Sequence, residues 1–177
     1  MNAGKKIAIL AFAISIPFLL SPSKSFSLSC MESLKGLEGV EVLIEELKPD
    51  LEDFNLTMIQ IQADVELKLR MAGIEVLSKE ENKKIQPLRK PYLYIKINSY
   101  KMPRRKGSFA FNIEIALNQQ VVLREHPPFL KKPFYAPTWY TSFVGAVSGE
   151  KVPEIRDVVK DLTDKFINAY LTANPKK

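Results

Sequence analysis

The stretch YLYIKINSY, from Tyr92 to Tyr100, alternates, with Leu93, Ile95 and Ile97 separated by polar or amphipathic residues. This alternation predicts a β-strand that buries one face and exposes the other. A second alternating run extends from Phe109 to Leu117, and a basic segment containing Gly107 separates the two runs. The pair predicts an antiparallel hairpin, whose second strand we expect to continue to Leu123 across a bulge near residues 118–119.

The exposed face of the first of these strands carries Tyr92, Tyr94 and Tyr100. A tyrosine presents a large apolar ring together with a polar hydroxyl, a combination that is common at interfaces. We therefore expect this face of the sheet to meet solvent or a partner, and the opposite face to pack under helices.

The residues that precede the hairpin predict a β-α-β unit. The segments Gly39–Leu47 and Ile74–Ser78 are rich in β-forming residues. Between them, Thr57 and Gln60 stand at capping-box spacing, and an apolar stripe ends at Gly73, which together predict a helix. A helix that connects two strands favours their parallel pairing, either as direct neighbours or with one strand between them.

The end of the chain predicts a last strand and a closing helix. The strand is expected over Thr138–Val147, after a proline-rich, basic and aromatic loop at residues 129–137. Pro153 stands where a first-turn proline belongs, and apolar residues then recur at helical spacing. The whole pattern predicts an α+β fold, a two-layer sandwich of an about five-stranded, mostly antiparallel mixed sheet with two long helices packed on one face.

The N-terminus predicts a cleavable export signal. Lys5 and Lys6 precede an uncharged apolar run of 14 residues, Ile7–Leu20. That run is shorter than the roughly 20 residues that span a bilayer core, so we expect a cleaved signal and no transmembrane span after cleavage. Ser25 and Ser27 supply the small residues that a signal peptidase accepts. The prediction is a signal peptide at 1–27, a flexible mature N-terminus at 28–38 and one α+β domain at 39–173.

Cys30 is the only cysteine, which excludes an internal disulfide. A cysteine soon after an apolar run can be the lipid acceptor of a bacterial lipoprotein. However, Ser27-Leu28-Ser29 lacks the large aliphatic residue that such a signal has three positions earlier, and Lys24 lies in between. We favour an unlipidated protein that is periplasmic or secreted over one anchored through Cys30.

The charge and the polar residues exclude several functions. Removal of the signal takes away Lys5, Lys6 and Lys24, so the formal net charge falls from +6 to +3, which is too small to indicate nucleic-acid binding. His126 is the only histidine, and its neighbour Glu125 points to the opposite face of a strand. We therefore expect no catalytic residues, no metal and no cofactor.

The abundant carboxylates leave one enzymatic alternative open. They are concentrated between Glu38 and Asp53, and spacing alone does not exclude a carboxylate pair. The alternative function is thus a carboxylate-dependent hydrolase that acts on envelope polymers.

Two features favour a binding function instead. Arg104, Arg105 and Lys106 form a cationic hairpin tip that could contact an anionic surface, although such tips are often charged only for solubility. An aromatic cluster near the last strand forms the second candidate site, and at least half of it is expected to complete the core. Its candidate binding residues are Tyr135, Trp139 and Tyr140.

Several strings resemble a family of small exported bacterial proteins of unknown function. They are GVEVLIEEL from Gly39, IQADVELKLR from Ile61, AGI from Ala72, PYLYI from Pro91 and FINAYL from Phe166. In element order the chain also resembles, more weakly, the N-terminal domain of the Tol-system propeller protein. The resemblance implies export and an α+β fold, and it brings no catalytic residues.

Together these observations predict an exported, non-catalytic binding or accessory domain of the bacterial cell envelope. Its expected partner is an unidentified envelope protein or an anionic surface, contacted through the open sheet face and residues 129–140.

Overall fold

The computed structural model describes residues 31–78, 91–105, 107–122 and 134–175. The strands are β1 (Gly39–Ile44), β2 (Glu75–Val76), β3 (Tyr92–Lys101), β4 (Ser108–Val121) and β5 (Phe134–Ser148). The α-helices are α1 (Pro49–Glu52), α2 (Met58–Met71) and α3 (Ile155–Ala173). A 3-10 helix, Gly149–Glu154, leads into α3.

The strands form one five-stranded sheet in the order β2-β1-β3-β4-β5. β1 pairs in parallel with β2 and β3, whereas β4 pairs antiparallel with β3 and β5. The antiparallel pairings run the length of three long strands, and β2 contributes only two residues. The predicted mixed, mostly antiparallel sheet with α+β organisation is therefore confirmed, and β1 and β2 are direct parallel neighbours.

Helix α2 begins and ends where its sequence predicts. The Thr57 hydroxyl accepts a hydrogen bond from the Gln60 backbone N–H at 3.3 Å, and the Gln60 side chain accepts one from the Thr57 N–H at 3.2 Å. This reciprocal pair satisfies two N–H groups that the first helical turn leaves unbonded. Gly73 ends the helix with a φ of 77°, a conformation that glycine adopts without steric cost.

The core lies between the helices and one face of the sheet. Every second residue of β3 points to this side, and Leu93, Ile95 and Ile97 are buried there. Each fully buried side chain of this size contributes about 1.5–3 kcal/mol of hydrophobic stabilisation. Buried residues of β4 lie beside these on the same side of the sheet, and α2 and α3 pack against both. The β4 and helix residues are Phe109, Ile113, Ile115, Ile61, Val65, Leu69, Val159, Leu162 and Phe166.

Two ion pairs connect α2 to α3 above the core. The Arg156 guanidinium donates to both oxygens of Asp64, at 2.7 and 2.9 Å. Lys68 donates to Asp164 at 2.6 Å. These pairs hold the two long helices side by side over the same face of the sheet, as the amphipathic patterns predict.

The expectation of a flexible segment at 28–38 is wrong for residues 31–37. Leu34 is fully buried in the core, and residues 31–36 form helical turns. Asn174 accepts a hydrogen bond from the Gly36 N–H at 2.7 Å, and the Tyr170 hydroxyl donates to the Leu37 carbonyl at 2.7 Å. One buried leucine and these bonds to the end of α3 give the segment a fixed place. Residues 28–30 lie outside the described chain.

Strand β5 starts earlier than its sequence predicts. Residues 134–137 were expected in a loop, but Phe134 pairs with Val121 and the strand runs from there. A bulge was predicted on β4 near residues 118–119; the register does shift between Leu117 and Asn118, but the extra residue is Thr138 of β5. Pro137 is tolerated because β5 is an edge strand.

The start of the closing helix also differs from prediction. Pro153 lies inside the 3-10 helix, two residues before α3 begins at Ile155. Within the described residues, no helix has both the length and the apolar character that crossing a membrane requires. The predicted signal peptide, Cys30 and His126 fall outside the described ranges.

Candidate binding surface on the open sheet face

The face of the sheet opposite the helices carries the polar half of each alternating strand. On β3 this half contains Tyr92, Tyr94 and Lys96, which are only half-buried, while their neighbours on the strand are buried. On β4 it contains Asn112 and Glu114. No helix of the described chain covers this side, so its side chains form the surface that we call the open face.

Three tyrosines form a cluster at one end of the open face. The Tyr92 ring lies 6.5 Å from that of Tyr94, edge to face, and 5.4 Å from that of Tyr135 on β5. Burial raises the pKa of Tyr92, and the neighbouring Tyr135 raises it further. Ring pairs at such distances fix one another's orientation, so the cluster presents a preformed aromatic surface.

A cross-strand row extends this cluster to the edge of the sheet. The register places Leu43, Tyr94, Ala116 and Tyr140 side by side on β1, β3, β4 and β5. Leu43 is 40% exposed and Tyr140 is 52% exposed, whereas Ala116 is 7% exposed. The Tyr94 and Tyr140 rings flank Ala116, about 10 Å apart at the usual strand spacing. Because alanine ends at Cβ, the surface is lower between the two rings. The row therefore forms a shallow apolar trough across the strands.

A polar cluster holds Tyr94 in this row. Its hydroxyl donates a hydrogen bond to the Glu45 carboxylate, which also lies 3.3 Å from the Lys96 ammonium. The bond to Glu45 raises the pKa of Tyr94 to about 12, and the same bond lowers the pKa of Glu45. At neutral pH Tyr94 therefore keeps its proton and Glu45 stays ionised. The hydrogen bond between them fixes the orientation of the Tyr94 ring.

The open face also carries amide side chains. The Asn112 amide donates to Glu114 at 2.7 Å, opposite Asn98 and away from the three tyrosines. Gln120 pairs in register with Tyr135, and its Oε1 atom is buried and accepts no hydrogen bond from the described residues.

Two of the predicted binding residues, Tyr135 and Tyr140, lie on the open face beside Tyr92 and Tyr94. The predicted cationic tip is not part of this group. Arg104 and Arg105 are exposed in the turn after β3, and Lys106 lies outside the described residues. Tyr92 begins β3 and the turn follows its end, so about 30 Å of extended strand separates the tip from the cluster.

Trp139 does not belong to the binding surface, and its prediction as a binding residue is wrong. It is only 8% exposed, and its ring lies 5.2 Å from Phe166 of α3 at an interplanar angle of 72°. The extra residue at Thr138 places Trp139 opposite Leu117, on the face that the helices cover. The tryptophan therefore completes the core.

The sequence missed the partners of Tyr94. Glu45 follows β1 and Lys96 lies two residues beyond Tyr94, but only the parallel register of β1 with β3 brings Glu45 to them. The carboxylate also looked like part of a solvated run before Pro49. A hint was available in the alternation of β1, which places Glu41, Leu43 and Glu45 on one face.

A second concavity, of about 470 Å³, lies between α2 and the β1–β2 edge. Its polar side chains bond to one another, since Glu66 accepts from Gln62 and from Arg70, each at 2.8 Å. Across the described ranges, no group of three or more His, Cys, Asp or Glu side chains could hold a metal ion. In contrast, the open face exposes the side chains of Leu43, Tyr135 and Tyr140, and we therefore take it as the candidate binding site.

No protein-family model matches the chain, and no curated protein matches it either.

Proposed function

We propose that this protein is an exported, non-catalytic binding or accessory domain of the bacterial cell envelope, which contacts an envelope protein through the open face. The observation that supports the proposal is the cluster of Tyr92, Tyr94 and Tyr135, extended by Tyr140 in the adjoining row. No described helix covers this side of the sheet. Buried cores account for aromatic residues on the helix side, but they do not account for four tyrosines on the other. Tyrosine is enriched where proteins contact each other.

The direction of the pKa shifts also favours binding over catalysis. A carboxylic acid that protonates a leaving group needs a raised pKa. The hydrogen bond from Tyr94 lowers the pKa of Glu45, and the hydrogen bond from Arg156 lowers that of Asp64. Both carboxylates therefore stay ionised near neutral pH, and neither has the raised pKa that such an acid needs.

The charges of the open face indicate what kind of partner it fits. Among the described residues of β1, β3, β4 and β5, this face carries Glu41, Glu45 and Glu114 and one cation, Lys96. A net negative aromatic surface suits a protein that presents apolar and cationic side chains better than it suits an anionic lipid surface. Any contact with an anionic surface belongs to the separate tip at Arg104 and Arg105.

Export is part of the proposal and depends on residues 1–27. The Lys5-Lys6 pair, the uncharged run to Leu20 and the serines before Leu28 support it, as does the resemblance to exported proteins. The intact mass of the protein isolated from its host tests this step. A mass for a chain that starts near Leu28 supports export without a lipid, and a mass that retains residues 1–27 contradicts export.

Affinity capture from envelope extract tests the binding surface. The baits are the wild-type protein, Tyr140→Ala in the trough and Tyr100→Ala as a matched control. Tyr100 is 64% exposed on the same strand face but near the hairpin tip. We expect wild type and Tyr100→Ala to recover the same protein and Tyr140→Ala to lose it. Equal recovery by all three baits, or by none, contradicts the proposal.

A further inference from the structure

Strand β5 is a long edge strand without a charged residue. It runs for 15 residues, FYAPTWYTSFVGAVS, and none of them is Asp, Glu, Lys or Arg. In the described chain it pairs with β4 on one side only. The Thr138 carbonyl accepts a hydrogen bond from the Ser33 hydroxyl at 3.1 Å, and from Trp139 onward the outer backbone N–H and C=O groups pair with no strand of the described residues. Such groups can pair with a further strand.

This composition is the reverse of what normally protects a sheet edge. Native edges are usually blunted by charged side chains, prolines, bulges or short length. Here the interior strands carry Lys96, Lys101 and Glu114, and the edge carries no charge. Pro137 and the bulge at Thr138 interrupt only the first five residues of β5. The ten residues from Trp139 to Ser148 contain neither a proline nor a bulge.

The same ten residues expose apolar side chains on both faces of the edge. Val144 is 75% exposed on the open face, and Phe143 is 42% exposed on the helix side. The Phe143 ring lies 6.0 Å from that of Phe111, over Gly145, where an added Cβ would stand 2.8 Å from the Phe143 ring. Because Gly145 has no side chain, the Phe143 ring can lie flat over it against the sheet. In this position the ring leaves room for another strand at the edge.

We propose that residues 139–148 of β5 pair antiparallel with the same residues of a second copy of this chain. The pairing forms a two-fold dimer in which two five-stranded sheets become one ten-stranded sheet. An uncharged strand has no charge pattern with which to select a foreign peptide. A second β5 matches its length, brings no charge to the interface, and buries Val144 and Phe143 of both copies.

The geometry of this dimer has a consequence for the open face. A two-fold axis perpendicular to the sheet leaves both open faces on the same side. Tyr140 lies on β5, so the troughs of the two copies open on the same side of the ten-stranded sheet, one on each side of the dimer axis. The dimer would present two copies of the aromatic surface on one face, whatever partner that surface binds.

Sedimentation equilibrium of the protein isolated after export tests the proposal. All samples carry Cys30→Ser, which removes disulfide dimers. We expect a dimer, and we expect Val144→Lys to raise its dissociation constant at least about tenfold, because two lysines then meet at the axis. Ile59→Lys is the matched control, since Ile59 is 80% exposed on α2, away from β5. A monomer at the highest soluble concentration, or dissociation by Ile59→Lys alone, overturns the proposal.

Single cysteines placed along residues 140–147 of the Cys30→Ser protein test the register. A two-fold antiparallel pair brings only one position opposite the same position of the second copy. We expect intermolecular disulfides to peak at that position and to fall on both sides. Equal crosslinking at all positions, or none at any, overturns the pairing through β5.

Discussion

Trp139 and Tyr140 are neighbours in the chain and serve the two faces of one strand. Trp139 is 8% exposed and contacts Phe166 of α3, whereas Tyr140 is 52% exposed beside Ala116. Their residue types are alike, so composition does not distinguish a core residue from a surface residue here. The direction in which the strand points each side chain decides the role.

The helix-covered face and the open face also differ in how their aromatic residues are held. On the covered face, Phe166 touches Trp139 and Tyr170, and apolar packing fixes the Phe166 and Trp139 rings. On the open face, Tyr94 is fixed by a hydrogen bond to Glu45. We therefore expect substitutions on the covered face to change stability, and substitutions on the open face to change binding.

The largest effect should come from Trp139→Ala. Removal of a buried tryptophan leaves a cavity against Phe166, and such truncations cost about 3–5 kcal/mol of unfolding free energy. Denaturant unfolding followed by far-ultraviolet circular dichroism measures the loss. Trp139→Phe is the control, because it keeps an aromatic ring against α3 and should lose less. A loss below about 1 kcal/mol for Trp139→Ala, the range of exposed sites, would break the distinction between the two faces.

A smaller effect is expected from Asp64→Asn between the two helices. The bidentate contact with Arg156 lowers the pKa of Asp64, so the carboxylate stabilises the fold above the unfolded pKa of Asp. That contribution is lost as the pH falls through the lower folded pKa. We expect the substitution to cost about 1 kcal/mol at neutral pH, as a well-oriented, partly exposed pair does.

The pH dependence of that difference is the measurement. At neutral pH the unfolding free energies of wild type and Asp64→Asn should differ. At strongly acidic pH, where Asp64 is protonated, the two free energies should converge. A constant difference at both values would mean that the ion pair is not the source of the stabilisation.

Most of the fold could be predicted from the sequence because its signals are local. Alternation determines β3 and β4, and the capping box at Thr57 with Gly73 determines α2. The placement of Leu34 could not be predicted, because its burial depends on contacts with the distant end of α3. The early start of β5 was missed since prolines usually indicate a loop.

The candidate site was only partly predictable, for a related reason. Tyr135 and Tyr140 are exposed, and their binding role stays a prediction, whereas Trp139, which was grouped with them, is buried. One extra residue at Thr138 reverses which side chains point outward, and no residue pattern located that bulge on β5. The neighbours of Tyr94 depend on the register between β1 and β3, which joins residues far apart in the chain.

On the open face, Tyr140→Ala should leave stability almost unchanged. Exposed side chains away from caps and buried networks usually change the unfolding free energy by less than about 0.5 kcal/mol. The same denaturant experiment as for Trp139→Ala gives a direct comparison of adjacent positions. A loss comparable to that of Trp139→Ala would mean that Tyr140 is structural, and it would remove the basis for using this variant to test binding.

The titration of Tyr94 should reveal its hydrogen bond to Glu45. Its pKa of about 12 is above the usual value near 10. A raised folded pKa means that the stabilisation is complete below the unfolded pKa and is lost as the pH rises through about 12. The ultraviolet absorbance of tyrosinate should therefore include a late step that Tyr94→Phe abolishes. Glu45→Gln should move this step to lower pH, because the neutral amide no longer opposes ionisation of the phenol; an unmoved step would show that the carboxylate does not hold Tyr94.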